Sequence, residues 1–289
     1  MNKNEQYYVP FTVLMSVYKG DKAIFLQKTV NSILSQTVPP TEIVFVEDGP
    51  VPADIQQVIL EFQSSFKGKF VLIKLSKNAG LGHALNIGSK YVTTNWIARV
   101  DSDDINVSNR FQMQLNAIKK NPDVSLVGGQ VDEFQEYLNQ TVGSRIVPTT
   151  HGEIVRFLKY RNPFNHPTVM INKLALDCVG NYLSFGNLED YYLWSRLIAH
   201  GYKTVNLPYV LVHMRIGNGM YARRGKFSNI QYIFRLHNYL FQNHLCNIFQ
   251  LVTGISIGVV NLMLPKKLRK HVYQNFFHKL RSEKDMGDN

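Results

Sequence analysis

Apolar residues along the chain follow two alternating spacings. Continuous apolar runs of strand length lie at residues 11–17, 42–47, 70–75, 96–100 and 124–127. Segments with helical spacing lie between them, at residues 23–34, 55–66, 82–91 and 110–119. Regular alternation of helices with unbroken apolar strands is typical of α/β proteins. The pattern therefore predicts an α/β fold with a mostly parallel, Rossmann-like sheet flanked by helices.

The pattern changes in the second half of the chain. The alternation weakens around residues 131–156, which indicates an antiparallel excursion. A helix is predicted at residues 189–200 and a short strand at 209–212, and from residue 227 onward the chain reads as aromatic-rich helices. We therefore expect one α/β domain over residues 1–225, with halves at 1–128 and 129–225. We expect residues 226–289 to form a basic, aromatic-rich, amphipathic helical extension.

Composition excludes several classes of protein. With 289 residues, of which 45% are hydrophobic and 18% charged, the chain is neither disordered nor a small disulfide scaffold. The two cysteines, Cys178 and Cys246, lie too far apart in sequence to form a metal-ligand motif. Their small number favours a reducing, cytosolic setting, and the polar N-terminus lacks the apolar core of a signal peptide.

The net charge of +11 is unevenly distributed. The 92 residues from Tyr191 to Ser282 hold 13 Lys or Arg and no acid. Such a tract favours an anionic partner: phosphate groups, a nucleic acid or an anionic membrane surface. A solvated basic face is the simpler alternative.

Carboxylates collect where the predicted strands end. In open α/β sheets, ligands bind outside the carboxyl ends of the strands. The second strand ends at Glu47 and Asp48, and the fourth at Asp101, Ser102, Asp103 and Asp104. Two carboxylates two residues apart, Asp101 and Asp103, suit one hard divalent cation such as Mg²⁺. The alternative is that these residues only cap the following helix.

At this point the motifs resemble a known family, the family 2 glycosyltransferases of the GT-A fold. The similar segments, in order, are MSVY (residues 15–18), SILSQT (32–37), EIVFVEDG (42–49), Asn78-x-Gly80 with Leu85-Asn86, ARVDSDD (98–104), NHPT (165–168) and LEDYYLW (188–194). Together they cover roughly residues 9–215. The VEDGP form and the segment from Arg215 to Gly225 look like the amylovoran and exopolysaccharide branch of the family, which includes galactosyltransferases.

The resemblance implies inverting transfer of one sugar from a UDP-sugar, UDP-galactose among the candidates, to a polyprenyl-diphosphate-linked or saccharide acceptor. It implies Mn²⁺ or Mg²⁺ as cofactor, held by Asp103 and Asp101, and names His213 as a candidate third ligand. Asp48 would bind the uracil imide and Tyr18 would pack near the base. The remaining nucleotide-binding candidates are Ser16, Val17, Glu47, Asn78, Gly80, Asn86, Arg99 and Ser102.

In this interpretation, residues of the second half bind and activate the acceptor. An inverting transfer needs a carboxylate that takes the proton of the acceptor hydroxyl, and the resemblance assigns this role to Asp190, with Glu189 in support. Without the resemblance, two acids in a first helical turn only stabilise the helix dipole. The candidates for acceptor or diphosphate contacts are His166, Trp194, Arg215, Arg223 and Arg224. A structural histidine at 166 and a solvated basic loop at 215–224 are the alternatives.

The C-terminal segment suggests a membrane surface. Residues 245–264 contain no charge over a length that could span a bilayer, but five polar residues interrupt them. The basic run at 265–270 should stay cytoplasmic, as should the catalytic half, so we expect an interfacial or re-entrant helix pair. An aromatic helix over residues 232–249 fits such a surface. This places the enzyme at the cytoplasmic face of the cell membrane; packing against the enzyme, or in a homodimer, is the alternative.

Two other functions remain open on sequence alone. One is a sugar nucleotidyltransferase, although residues 18–21 are a poor version of the glycine-rich basic loop that class needs. The other is a non-enzymatic binder of membranes or nucleic acids, which leaves the carboxylates unexplained. The glycosyltransferase interpretation implies no nucleic-acid partner.

Overall fold

The computed structural model describes residues 8–138, 140–217 and 229–264. The strands are β1 (Phe11–Val17), β2 (Glu42–Glu47), β3 (Lys69–Lys74), β4 (Trp96–Val100), β5 (Ile105–Asn106), β6 (Val124–Phe134), β7 (Thr141–Arg145), β8 (Met170–Asn172) and β9 (Lys203–Arg215). The helices are α1 (Ala23–Leu34), α2 (Ala53–Ser65), α3 (Leu81–Ser89), α4 (Arg110–Lys120), α5 (His151–Leu158), α6 (Lys173–Cys178), α7 (Glu189–Ala199), α8 (Ile230–Gln242) and α9 (Ile248–Met263), with a short 3-10 helix at His166–Thr168.

The strands form one sheet in the order β3-β2-β1-β4-β8-β6-β9-β5, and β7 pairs with β6. The first four strands are parallel, as the sequence predicts. The prediction of a mostly parallel sheet also holds for β6 and β9, which pair in parallel, but it is wrong for the other strands. β8 runs antiparallel to β4 and β6, and β7 and β5 are antiparallel to their partners. The sheet is therefore mixed, and the expected antiparallel excursion is the β6–β7 hairpin.

Alternation along the buried strands sends side chains to helices on both faces of the sheet. On one face, Val13 and Phe45 pack with residues of α1, α2 and α4. On the other, Leu14 and Val44 belong to a cluster that continues through α3, α5 and α7. This second cluster includes Leu236, Leu240 and Leu251 of α8 and α9, so the described part of the C-terminal extension packs into the core of the α/β domain.

Two predicted elements differ in extent. β9 is a 13-residue strand that pairs along β6, so the predicted short strand at 209–212 is its middle, and His213 and Arg215 lie within the strand rather than after it. The predicted aromatic helix at 232–249 is two helices, because α8 ends at Gln242 and Asn247 starts α9 with a capping box to Gln250. Across the described ranges, no helix combines the length and apolarity needed to cross a membrane.

Candidate functional site

The carboxyl ends of β1, β2 and β4 lie side by side, because β1 is paired in parallel with both neighbours. The backbone N–H of Asp48 extends this pairing past the strands by donating to the Val17 carbonyl at 2.8 Å. The turn that begins at Asp101 follows β4 at the same edge. The acidic residues predicted from the strand ends therefore share one edge of the sheet.

Asp48 holds the loop that leads into α3. Its buried carboxylate accepts hydrogen bonds from the backbone N–H groups of Ala79, at 2.8 Å, and Gly80, at 2.9 Å. The Asn78 amide donates to the Asp48 carbonyl at 3.2 Å. Glycine is required at 49, where φ is +85° and a Cβ would stand 2.6 Å from the Asn78 nitrogen. Hydrogen bonds thus join three of the nucleotide-binding candidates: Asp48, Asn78 and Gly80.

Several other nucleotide-binding candidates have different partners. The Val17 side chain is 1% exposed in the core, so a direct ligand contact by this side chain is ruled out and only its backbone borders the edge. Glu47 forms an ion pair with Lys74. The Asn86 amide donates to the Tyr182 carbonyl at 2.7 Å, so it supports the acceptor half rather than a nucleotide.

The remaining candidates of this group lie nearer to solvent or at the edge itself. Tyr18 is 37% exposed at the end of β1, and its backbone N–H donates to the Asp21 carboxylate at 3.0 Å. Ser16 is half-buried, whereas Ser102 is buried inside the acidic turn. An exposed aromatic ring at this edge is compatible with the predicted contact between Tyr18 and a base.

The turn after β4 concentrates negative charge. Burial, and then the charges of Asp101 and Asp21, raise the pKa of Asp103 to about 6. Burial and the two neighbouring aspartates also raise the pKa of Asp104. Arg99, 1% exposed beneath the turn, forms an ion pair with Asp101. Arg99 therefore compensates the charge of the turn from within the protein, and its contact with a nucleotide stays a prediction.

Arg215 clamps this turn to β9. Its guanidinium carbon lies 4.0 Å from the Phe25 ring centroid and 4.4 Å from that of Phe134. Its backbone N–H donates to the Asp104 carboxylate at 2.8 Å, and its Nε donates to the Asp103 carbonyl at 3.3 Å. The guanidinium lies between these two rings and donates to backbone carbonyls, so in this arrangement it supports the turn, and its diphosphate contact stays a prediction.

The chemistry of the turn fits a divalent cation. Asp101 and Asp103 offer carboxylate oxygens, which hard cations prefer, and a cation beside them would offset the repulsion that raises the pKa of Asp103. His213 does not complete a three-ligand site. Within the described ranges no three His, Cys, Asp or Glu side chains are grouped to hold a metal. His213 instead lies opposite Ile105 and Asp132 in the sheet, and burial lowers its pKa.

The acidic pair of the second half begins α7. Asp190 accepts a hydrogen bond from the Asn162 amide at 2.7 Å and from the Tyr191 backbone N–H, also at 2.7 Å. Burial, and then the charge of Asp190, raise the pKa of Glu189 to about 7. Gly82, in the first turn of α3, faces this pair, since a Cβ there would lie 3.7 Å from the Glu189 side chain. The loop held by Asp48 therefore leads directly to the start of α7.

His166 lies on the 3-10 helix against aromatic neighbours. Its Nε2 is 3.2 Å from the Tyr182 hydroxyl, and its ring centroid is 5.9 Å from that of Trp194. Burial, and then the positive charge of Arg99, hold the pKa of His166 well below its usual range. Trp194 is fully buried and packs against the His166 ring from the core, and its contact with the acceptor stays a prediction. Arg223 and Arg224 lie outside the described residues.

Three residues of the site escaped sequence reasoning: Asp21, Asn162 and Tyr182. Asp21 acts on Asp103 through its charge, Asn162 binds Asp190, and Tyr182 joins His166 to Asn86. Asp21 had a local signal, because it follows the end of β1 within four residues. Asn162 and Tyr182 sit in irregular segments between elements, and no spacing in the sequence points to their partners.

The fold matches two solved structures that hold nucleotide sugars. It matches the structure of residues 1–349 of *S. aureus* TarS in complex with UDP-GlcNAc, with a TM-score of 0.65, 14% identity, and coverage of 89% of this chain and 76% of that one. It also matches the mannosyltransferase PcManGT from *Pyrobaculum calidifontis* in complex with GDP-Man and Mn²⁺, with a TM-score of 0.61, 15% identity, and coverage of 92% and 80%. At these identities the likeness shows the fold alone.

Sequence comparison gives the family. Residues 12–180 match the profile of glycosyl transferase family 2, and the chain belongs to this family. It is 38% identical to an uncharacterized glycosyltransferase of *Haemophilus influenzae*, over 93% of this chain and 99% of that protein. It is 31% identical to the amylovoran biosynthesis glycosyltransferase AmsE of *Erwinia amylovora*, over 91% and 98%.

A third relative has a specific name. The chain is 35% identical to the *Escherichia coli* UDP-Gal:alpha-D-GlcNAc-diphosphoundecaprenol beta-1,3-galactosyltransferase, over 91% of this chain and 95% of that protein. The predicted resemblance to family 2 and its amylovoran branch is confirmed. The protein is a glycosyltransferase, so the nucleotidyltransferase and non-enzymatic alternatives are wrong.

Proposed function

We propose that this enzyme transfers one sugar from a UDP-sugar, UDP-galactose first among the candidates, to a lipid-linked acceptor during assembly of a cell-surface polysaccharide. The observation that carries the proposal is that one short loop, residues 78–82, contacts two acidic groups, one at each of its ends. Asp48 holds one end of this loop at the nucleotide edge, and Gly82 at its other end faces Glu189 beside Asp190. The *E. coli* relative, named for UDP-Gal and a diphosphoundecaprenol acceptor, supports this choice of substrates.

The donor would bind at the edge formed by β1, β2 and β4. The Asp48 carboxylate and the ordered Asn78–Gly80 turn offer the polar groups for a uracil base, and Tyr18 offers an exposed ring. Asp101 and Asp103 would hold Mn²⁺ or Mg²⁺ together with the diphosphate. A bound divalent cation stabilises the negative charge that develops on a departing diphosphate. Arg99 and the Arg215 clamp keep the acidic turn in place before the donor arrives.

Asp190 would act as the general base. The hydrogen bond from Asn162 to one of its oxygens favours the ionised form and fixes its orientation. The acceptor hydroxyl gives its proton to Asp190 while its oxygen bonds to the anomeric carbon. The bond from that carbon to the diphosphate oxygen breaks, and UDP leaves. Attack from the side opposite the leaving group inverts the anomeric configuration.

Glu189 would support this step through its protonation state. With a pKa of about 7, its carboxyl is about half protonated at neutral pH. A neutral Glu189 lowers the repulsion on Asp190, whose negative charge is needed to accept the proton. The neutral imidazole of His166, paired with Tyr182, offers polar atoms to an acceptor sugar on the same side.

The donor site is tested by thermal unfolding with UDP and Mn²⁺. A ligand that binds only the folded state stabilises it by mass action, by about 2.7 kcal/mol at a ligand concentration of one hundred times Kd. The melting temperature rises accordingly. We expect a metal-dependent rise that is lost in Asp103→Asn and kept in Asp123→Asn, whose carboxylate is exposed beside Lys203. No shift with UDP or dTDP in the parent protein, with or without metal, would contradict the donor site.

The acceptor assignment needs a separate assay. Transfer of radiolabelled galactose from UDP-galactose to a synthetic GlcNAc-diphospho-lipid should be detected with the parent protein. In Asp190→Asn it should fall by about 100-fold or more, the usual contribution of a general base, while the UDP-dependent melting shift remains. An Asp190→Asn variant that keeps parent activity would remove Asp190 from the mechanism. Activity with a different UDP-sugar alone would correct the donor.

A further inference from the structure

The outward face of α9 is mostly apolar and is interrupted by two hydroxyl side chains. Phe249, Val252, Val260 and Met263 are 79%, 57%, 58% and 67% exposed. On a helix with 3.6 residues per turn these positions fall on one side, and Ile257, 39% exposed, lies at its border. We call this surface the α9 face. An exposed apolar surface of this kind marks an interaction site.

The opposite side of α9 is fixed against the protein. Leu251 and Leu262 are buried. Gly254 lies so close to α8 that a Cβ there would stand 2.3 Å from the His237 ring, and at Gly258 it would stand 2.8 Å from Ile233. Two glycines four residues apart thus allow close packing of α9 on α8. The exposure of the α9 face therefore follows from how the helix is seated.

The polar residues on the α9 face satisfy themselves within the helix. The hydroxyl of Thr253 donates to the Phe249 carbonyl at 2.7 Å, and that of Ser256 donates to the Val252 carbonyl at 2.8 Å. This back-bonding occurs in helices generally, and here it leaves neither hydroxyl in need of a partner outside the helix. The face consequently presents side chains that an acyl-chain boundary can accept.

Charge and length select the occupant. No charged residue occurs at positions 245–264, and Lys266, Lys267, Arg269 and Lys270 follow in the sequence. The α9 segment of a second copy has no acidic residue to complement this basic run, whereas an anionic bilayer does. The 16 residues of α9 span about 24 Å, less than the roughly 30 Å of a hydrocarbon core. The helix is therefore suited to lie in the interface plane.

We propose that the α9 face docks in the headgroup region of an anionic bilayer on the cytoplasmic side and fixes the catalytic helix α7 at that surface. Aromatic contacts link the two helices through α8: Tyr239 lies 5.2 Å from Tyr192 of α7, and Tyr232 lies 5.2 Å from Phe185, between ring centroids. Of the aromatic residues expected to touch the membrane, Tyr239 thus packs on α7 and Tyr232 on Phe185, whereas Phe249 lies on the α9 face.

Vesicle sedimentation with the full chain tests the proposal. We expect binding to phosphatidylglycerol–phosphatidylcholine vesicles to exceed binding to pure phosphatidylcholine. Phe249→Asp and Val260→Asp should each weaken it by at least about tenfold, the equivalent of losing one buried apolar side chain. Leu174→Asp, on α6 and 71% exposed, is the matched control and should bind as the parent does.

A second measurement tests the proposal even if the aspartate variants fail to fold. Phe249→Trp keeps the face apolar, and its emission should shift to the blue and be quenched by brominated lipid. The proposal is overturned if both aspartate variants bind vesicles as the parent does, or if the parent does not bind them. It is also overturned if Phe249→Asp dissociates a dimer and still binds vesicles. These assays need neither donor nor acceptor, so their failure leaves the UDP and transfer tests standing.

Discussion

Glu189→Gln should stabilise the protein in a pH-dependent manner. Burial and the charge of Asp190 raise the pKa of Glu189 from its ordinary 4.5 to about 7. A carboxyl with a raised pKa ionises less readily in the folded state than in the unfolded state. Ionisation therefore destabilises the fold at a pH above 7, and this destabilisation fades as the pH falls through the interval from 7 to 4.5. Glutamine has no charge to ionise and should escape it.

The magnitude follows from the same two pKa values. The difference between 4.5 and about 7, at 1.36 kcal/mol per pH unit, corresponds to on the order of 3 kcal/mol above pH 8. At pH 5 the same two pKa values correspond to a destabilisation below about 1 kcal/mol. We expect Glu189→Gln to raise the free energy of unfolding by about 2–3 kcal/mol at pH 8.5, since the amide loses some of this in imperfect hydrogen bonding.

Urea denaturation of the parent and the variant at pH 8.5 and pH 5 measures this difference, and titration of other groups cancels between them. Glu61→Gln, exposed on α2, is the matched control and should change stability little at either pH. An equal effect of Glu189→Gln at both pH values would show that the side chain acts through packing. A destabilisation at pH 8.5 would refute the conclusion that its charge is poorly solvated.

Three further predictions concern the supporting residues. Asn162→Ala should lower kcat by about 10-fold or more, with the KM for the donor nearly unchanged, because the bond to Asp190 is charge-assisted; an equal change in both constants argues against a positioning role. Arg215→Lys should lower the free energy of unfolding, measured in urea, by about 2 kcal/mol. The lysine ammonium cannot fill the space between two rings or donate to the backbone carbonyls of both Asp103 and Gln135. Stability equal to that of the parent would contradict the clamp. The His166 imidazole should not titrate between pH 6 and pH 8 in NMR spectra of ring-labelled protein, because burial and Arg99 lower its pKa; a midpoint in this range would place the ring in solvent.

Local pattern in the sequence was sufficient for the first half of the fold. Strands β1 to β4 and helices α1 to α4 match the predicted segments to within a few residues. Unbroken apolar strands that alternate with helices leave little choice of topology, because parallel strands need crossovers and these are almost always right-handed. The position of Asp48, Asp101 and Asp103 at one edge follows from the same rule.

The second half depended on long-range pairing. β8 is three residues long, yet it joins β4 to β6 and makes the sheet mixed. Such a strand has no periodicity to detect, and its direction is decided by its neighbours. The exposed side of the C-terminal helices was likewise unreadable, because Tyr232 and Tyr239 satisfy the pattern of a surface helix and of a buried contact equally well.

The sequence by itself determined the chemistry available to this protein: its acidic residues, their place at the ends of strands and helices, and the family to which they belong. The tertiary structure decided which of those groups face one another. Asn162 meets Asp190 across 28 positions, Asn86 meets Tyr182 across 96, and Arg215 reaches Asp104 across 111. A hydrogen bond or a pKa depends on distances of a few ångströms and on burial, and chain separation carries information about neither.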